Sequence, residues 1–177
     1  MSNRLQHKEK TTTEHPKSRL NWERSATAPC DNLPLPPTPL IGRETEIGEI
    51  IKILNQTSCH LLTLTGQGGI GKTRLAIEAA SRVTHNFPDG IIFTTLQPAI
   101  EPAFLALAII DAIGVPFYVT DNPRIGLINF LRERKMLLLL DNFEELLQSS
   151  AENTASTIDL LAEIIKQAPG VKLLVTS

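Results

Sequence analysis

Residues 66–73, with the sequence GQGGIGKT, match at every defined position the pattern of a loop that binds phosphate groups. Glycines in such a loop let the backbone turn sharply and bring its N–H groups close to phosphate oxygens, which side chains would obstruct. Lys72 supplies a positive charge for the β- and γ-phosphates, and the Thr73 hydroxyl is placed to bind Mg²⁺. The loop follows the apolar run HLLTLT and opens an amphipathic helix, as a Walker A loop does. We expect nucleotide contacts from nine consecutive residues: Gly66, Gln67, Gly68, Gly69, Ile70, Gly71, Lys72, Thr73 and Arg74.

The apolar run KMLLLL ends in an acid, Asp141. A carboxylate at the carboxyl end of a buried strand lies beside the phosphates and can hold Mg²⁺ together with a Walker A threonine. Asp141 could instead cap the helix that follows. The Walker A loop upstream favours the metal role, so Thr73 and Asp141 are the predicted metal ligands.

Nucleotide hydrolysis also needs a group that orients or deprotonates the attacking water. Directly after Asp141, Asn142 cannot act as a base, whereas Glu144 can. Glu144 and Glu145 equally fit the first turn of a helix, where the helix dipole stabilises carboxylates. Glu144 is the candidate catalytic base, and we favour the helical-turn interpretation.

The chain alternates predicted strands and helices. Ile47, Ile50, Ile51 and Leu54 recur at helical spacing after a turn at Gly42, which predicts a first helix there. Strands that are apolar on both faces and separated by helices are typical of a parallel sheet covered on both sides. We predict a three-layer α/β fold with strands at 60–65, 90–96, 136–140 and 171–175, and further helices at about 71–84, 101–113, 124–134 and 156–167.

Composition limits the classes of function. The 17 basic and 19 acidic residues give a net charge of -2, which argues against direct binding of nucleic acid by this chain. The apolar runs are far shorter than the roughly 20 residues that cross a bilayer, and the first residues lack the apolar core of a secretory signal. We expect a cytoplasmic protein with no membrane contact, whose two cysteines are free thiols.

The first part of the chain differs from the rest. Half of the 12 prolines precede residue 40, among polar residues with few large apolar side chains. Such a segment cannot bury enough surface to offset its ordering entropy. We therefore predict a disordered N-terminal tail over 1–33 and a P-loop NTPase domain over 34–177.

Four stretches, in this order, resemble the STAND class of P-loop ATPases, which includes the NB-ARC switches and the ATPase modules of large bacterial transcription regulators. They are LIGRETE, GQGGIGKTRLA, LLLLDNFEELL and VKLLVTS. The resemblance implies a switch that is inactive with ADP and active with ATP, with Mg²⁺, and that signals to attached helical sensor and effector domains. It also implies that the segment Leu40, Ile41, Gly42, Arg43 and Glu44 lies against the adenine.

The resemblance further implies a sheet order. The strand at 171–175 would lie between the Walker A and Walker B strands, and a fifth strand would cover the far edge of the Walker A strand. Without that fifth strand the apolar run HLLTLT is left at an open edge, which invites pairing with another chain. We expect the chain to self-associate or to be poorly soluble.

Three departures from the family pattern matter. Asn142 stands where many NB-ARC members carry a second Asp, which puts fast hydrolysis in doubt. The family's γ-phosphate-sensing arginine would follow Ser177, where the sequence ends, and the winged-helix and helical parts are absent. We expect an N-terminal piece of a nucleotide-binding domain, incomplete at its C-terminus, whose sheet stops after the fourth strand.

The leading hypothesis is an ATP- or ADP-binding switch module with little hydrolysis of its own, whose protein partners act through the missing C-terminal domains. Two alternatives stay open. One is an active P-loop ATPase or small-molecule kinase that uses Glu144 as a base, and the other is a non-functional remnant of a truncated gene.

Overall fold

The computed structural model describes residues 30–36, 38–96, 104–114, 122–147 and 151–177, with the side chains of 151–153 left out. The predicted tail lies outside the described residues up to residue 29, and so does the predicted helix start at 101–103. No helix among the described residues is long and apolar enough to cross a membrane.

Four strands form one parallel sheet. They are β1 (Leu61–Leu64), β2 (Gly90–Thr95), β3 (Met136–Asp141) and β4 (Lys172–Thr176), in the order β1-β4-β3-β2. All six residues of β3 are buried, because this central strand is covered on both faces. The position of β4 between the Walker A strand β1 and the Walker B strand β3 confirms the central place that the resemblance implied for this strand.

Helices cover the two faces of the sheet and complete the three-layer α/β fold that the sequence predicted. Alternate strand residues point to opposite faces: Leu137 and Leu139 of β3 pack with α1 (Glu44–Leu54) and α2 (Lys72–Ser81), and Leu138 and Leu140 pack in the other cluster. That second face carries α3 (Leu105–Ile113), α4 (Pro123–Leu131), the short α5 (Glu144–Leu147) and α6 (Ala151–Gln167).

Local sequence explains where the helices begin and end. The Asn122 side chain accepts hydrogen bonds from the N–H groups of Arg124 and Ile125, and Pro123 occupies the first helical position, so α4 begins there. Gly114 has a φ of +70° and ends α3 in the left-handed conformation. The backbone of α6 begins at Ala151, five residues before the start predicted at 156.

The segment 30–33, which belongs to the predicted tail, lies along the outer edge of β2. Cys30 N donates to Asp89 O at 3.2 Å, and Asn32 N donates to Ile91 O at 3.3 Å. A Cβ on Gly90 would lie 2.5 Å from Cys30 O, so only glycine allows this approach. Among the described residues, contacts between the start of the chain and the domain therefore begin at Cys30, inside the segment predicted as tail.

Candidate nucleotide-binding site

The loop over 66–71 joins the end of β1 to the start of α2. Gly69 and Gly71 have φ values of +78° and +95°, in the left-handed region that glycine adopts without strain. A Cβ at either position would meet nothing within 4 Å, so backbone conformation and not space requires these glycines. No side chain among the described residues caps the first turn of α2, so its first N–H groups have no side-chain partner there. Such a turn binds anions.

Lys72, the first residue of α2, extends back across the loop. Its Nζ donates to Gly66 O at 2.7 Å and to Gln67 O at 3.2 Å. The end of β4 fixes the beginning of the loop, since Ser177 N donates to Leu64 O at 2.9 Å and Gly66 N donates to Ser177 O at 3.2 Å. These contacts fix the start of the loop and place the Lys72 ammonium group beside Gly66 and Gln67.

The predicted metal ligands Thr73 and Asp141 lie together. Thr73 Oγ1 donates to Asp141 Oδ1 at 2.6 Å, and the Asp141 side chain is only 4% exposed. A third residue, Thr176 of β4, donates from its Oγ1 to the same Oδ1 at 2.6 Å and accepts from Asn142 N at 3.1 Å. Thr176 has no signal in the sequence that marks it as a site residue, because a threonine in an apolar strand is ordinary in a sheet.

The donors at this point suit Mg²⁺. A buried carboxylate and a hydroxyl are hard oxygen ligands, and Mg²⁺ is usually held by one or two such groups together with waters and substrate phosphates. Within the described residues no group of three or more His, Cys, Asp and Glu side chains could hold a metal ion by itself. The pair of Thr73 and Asp141 thus fits a metal ion that arrives with a nucleotide.

Glu144 is the first residue of α5, in agreement with the helical-turn interpretation. Its Oε2 atom is buried and has no hydrogen-bond partner within the part of the chain that the structure describes. Asn142 adopts a φ of +61°, a left-handed conformation that asparagine tolerates better than most residues. The turn at Asn142 directs the chain from β3 into α5.

A cleft of about 270 Å³ opens beside the loop. Of the five residues predicted to lie against the adenine, Leu40 and Arg43 line this cleft, and Glu44 begins α1. Gly42 forms a turn with a φ of +79°, and Ile41 is 82% exposed. The cleft is lined by Leu40, Arg43, Thr63, Leu64, Thr65, Ile70, Gly71, Lys72 and Leu75.

Arg43 also pairs with the first turn of α1. Its Nη1 donates to Glu46 Oε1 at 2.8 Å. This hydrogen bond, and then one from the Glu46 backbone, lower the pKa of the Glu46 carboxyl below its usual 4.5. Arg74, also predicted to contact the nucleotide, directs its guanidinium to Thr38 and Pro39.

The NB-ARC domain family matches residues 43–154 of the chain, a range that holds the phosphate loop, Asp141 and Glu144. The chain belongs to the NB-ARC family. This membership confirms the STAND-class resemblance that the four sequence stretches indicated.

Relatives of this NB-ARC chain are much longer proteins. A Mycobacterium tuberculosis protein provisionally named an HTH-type transcriptional regulator is 37% identical over 118 residues, which cover 67% of this chain and 12% of the relative. An uncharacterised WD repeat-containing protein from Nostoc is 32% identical over 125 residues, covering 63% of this chain and 10% of the relative. The chain thus spans a small part of these curated relatives.

The fold also occurs among solved structures. The crystal structure of Cdc6p from Pyrobaculum aerophilum superposes with a TM-score of 0.53 at 20% identity, over 86% of this chain and 42% of that one. At this identity the likeness concerns the fold alone. It agrees with the parallel α/β architecture described above.

Proposed function

We propose that this NB-ARC domain binds ATP or ADP with Mg²⁺ and serves as the switch module of a STAND-type signalling or transcription-regulating ATPase. The observation that carries the proposal is the 2.6 Å contact between Thr73 Oγ1 and Asp141 Oδ1 at the mouth of the phosphate loop. It unites two motifs that are far apart in the sequence. Together they offer the oxygen ligands that a nucleotide-bound Mg²⁺ requires.

Different groups of the chain would bind different parts of the nucleotide. N–H groups of the loop and of the first turn of α2 bind the phosphate oxygens, and Lys72 Nζ exchanges its carbonyl acceptors for the β- and γ-phosphates. Thr73 and Asp141 would hold Mg²⁺, which neutralises phosphate charge when it is bound. The cleft beside Leu40 and Arg43 receives the nucleoside end.

Little hydrolysis is expected from these groups. The residue directly after Asp141 is Asn142, an amide that cannot take a proton from water, and its backbone N–H is used by Thr176. A module that binds its nucleotide without rapid cleavage suits a switch. The regulator-like relative supports partners in further domains of a longer protein, which this module would control.

Calorimetric titration with MgADP tests the proposal. The wild-type chain should bind one nucleotide saturably, and Lys72→Ala should lose about a hundredfold in affinity, the effect of removing a charged hydrogen-bond donor from the phosphates. Lys52→Ala is the matched control, because Lys52 is an exposed lysine in the last turn of α1. A wild-type chain that folds but binds neither MgADP nor MgATP would exclude the switch and favour the remnant.

An active ATPase or small-molecule kinase is the second candidate, supported by the buried Glu144 Oε2 that lacks a partner among the described residues. A general base needs a carboxylate oxygen that no other hydrogen bond occupies and that lies within reach of the attacking water. Release of phosphate from ATP, above background and lost in Glu144→Gln but kept in Glu145→Gln, would favour this candidate. Release at background level in all three chains would favour the switch.

A further inference from the structure

The lead-in segment, residues 38–43, forms one wall of the nucleotide cleft. Leu40 and Arg43 of this segment line the cleft together with Ile70 and Leu75. The segment precedes α1 and is rich in proline just upstream, and prolines contribute no N–H group to backbone hydrogen bonding. Its position therefore depends on contacts with other parts of the domain.

Arg74 provides such a contact from the first turn of α2. Its Nη2 donates to Thr38 O at 2.8 Å, to Thr38 Oγ1 at 2.9 Å and to Pro39 O at 3.4 Å. All three contacts come from one nitrogen, which the planar guanidinium holds in a fixed position, whereas a lysine ammonium is a point charge on a flexible stem.

The helix that carries Arg74 is firmly placed. Ala76, Ala79 and Ala80 of α2 are fully buried against the sheet. The neighbouring residue, Thr73, contacts Asp141. The first turn of α2 thus carries both Thr73, which contacts Asp141, and Arg74, which contacts the lead-in segment.

We propose that Arg74 is a positioning residue for the nucleoside end of the nucleotide, which it serves by fixing the lead-in segment through Thr38 and Pro39. This inference rests on the proposed nucleotide binding. It replaces the direct nucleotide contact that the sequence suggested for Arg74. The guanidinium acts through the wall of the cleft.

The lining of the cleft combines two kinds of chemistry. Lys72 supplies a positive charge, whereas Leu40, Leu75 and the 53%-exposed Ile70 supply apolar side chains. A planar base gains from apolar contact, and a phosphate chain does not. Displacement of the lead-in segment should therefore weaken the binding of nucleotides. The binding of ligands that consist of phosphate alone should stay unchanged.

The test compares MgADP with magnesium tripolyphosphate in calorimetric titrations of the full chain. Arg74→Ala should bind MgADP about fivefold to tenfold more weakly, the equivalent of roughly one ordinary hydrogen bond, and tripolyphosphate within about twofold of wild type. The affinity of Arg74→Lys for MgADP should lie between those of Arg74→Ala and wild type, since one charged group remains. Arg82→Ala, at the end of the same helix and paired with Glu78, should match wild type for both ligands.

Hydrogen exchange provides a readout that does not depend on the ligand. In Arg74→Ala the amides of 40–43 should exchange faster, while those of α2 stay protected. Equal losses for MgADP and tripolyphosphate, or unchanged exchange in 40–43, would overturn the positioning role. A wild-type chain that binds tripolyphosphate but not MgADP would overturn this inference as well as nucleotide binding, whereas normal MgADP binding by Arg74→Ala would overturn only the inference.

Discussion

Thr176 Oγ1 donates a hydrogen bond to Asp141 Oδ1 at 2.6 Å, and both side chains are almost completely buried. The same carboxylate oxygen accepts from Thr73. The contact joins the ends of the neighbouring parallel strands β3 and β4 directly behind the phosphate loop. Thr176 thus sets the orientation of the Asp141 carboxylate toward the place where Mg²⁺ would bind.

Thr176→Val should impair metal-dependent binding. Valine keeps the shape but removes the donor to Asp141 and the acceptor for Asn142 N, so the domain should lose about 1–3 kcal/mol of stability. Affinity for ADP should fall several-fold with Mg²⁺ and stay near wild type with EDTA. Calorimetric titration and urea unfolding measure the two effects.

The matched control is Thr84→Val, at an exposed threonine in the turn after α2. It should change neither affinity nor stability by a measurable amount. Equal loss of ADP affinity in Thr176→Val with and without Mg²⁺ would show that Thr176 does not act through the metal ligand.

The regular parts of the fold followed from sequence patterns. The apolar run that becomes β3 and the glycine-rich loop before Lys72 have local signatures, because burial on both faces and phosphate approach each restrict residue type over a short stretch. The sheet order came from the resemblance and not from the residues. The site residue Thr176 had no local signal, since its partner Asp141 lies 35 positions upstream.

Two other features depended on tertiary contacts that composition does not encode. The segment 30–33 was assigned to the tail from its proline-rich surroundings, yet Asp31 and Asn32 use their side chains as hydrogen-bond partners of β2. The nucleotide contact of Arg74 stays a prediction, and its guanidinium contacts Thr38, 36 positions upstream. In each case a polar side chain forms a hydrogen bond with a backbone group that is far away in the sequence.

Asn32→Ala should detach the segment 30–33 from β2. The Asn32 amide donates to Phe93 O at 2.9 Å and to Ala112 O at 3.2 Å, and its Oδ1 accepts from Phe93 N at 2.6 Å. Loss of these bonds should cost about 1–3 kcal/mol of stability and expose the edge of β2. Urea unfolding and hydrogen exchange at Phe93 measure both.

Asn86→Ala serves as the control for Asn32→Ala, because it removes one exposed hydrogen bond, from Asn86 to Asn55. Its cost should stay below about 1 kcal/mol. If Asn32→Ala matches this small cost and Phe93 stays protected, the side chain of Asn32 does not hold the segment.

The outer edge of β1 should make the 177-residue chain self-associate. Among the described residues, β1 pairs with β4 on one side and with no strand on the other, and Leu61 is 45% exposed. Leu61→Lys should reduce the association, since an edge lysine opposes strand pairing. Sedimentation velocity at micromolar concentration measures it.

Leu107→Lys distinguishes edge pairing from general hydrophobic association. Leu107 is an exposed leucine on α3, remote in the fold from the β1 edge, so its replacement should leave the association unchanged. A monodisperse monomer for the wild-type chain would contradict the prediction. If Leu61→Lys and Leu107→Lys reduce the association equally, the contact between chains does not specifically involve β1.

The pair of Arg43 and Glu46 should make stability depend on pH in acid. The hydrogen bond from Arg43 lowers the pKa of Glu46 below 4.5 in the folded state, so the unfolded chain binds more protons between that lowered value and 4.5. The stabilising contribution is therefore present above 4.5 and is lost as the pH falls through the folded pKa. Wild type and Glu46→Gln should differ in free energy of unfolding at neutral pH and converge in strong acid.

An NMR titration of Glu46 measures its pKa directly. Arg43→Gln should return the pKa of Glu46 toward 4.5, and Arg82→Gln should leave it unchanged. A wild-type midpoint at or above 4.5 would refute the pairing.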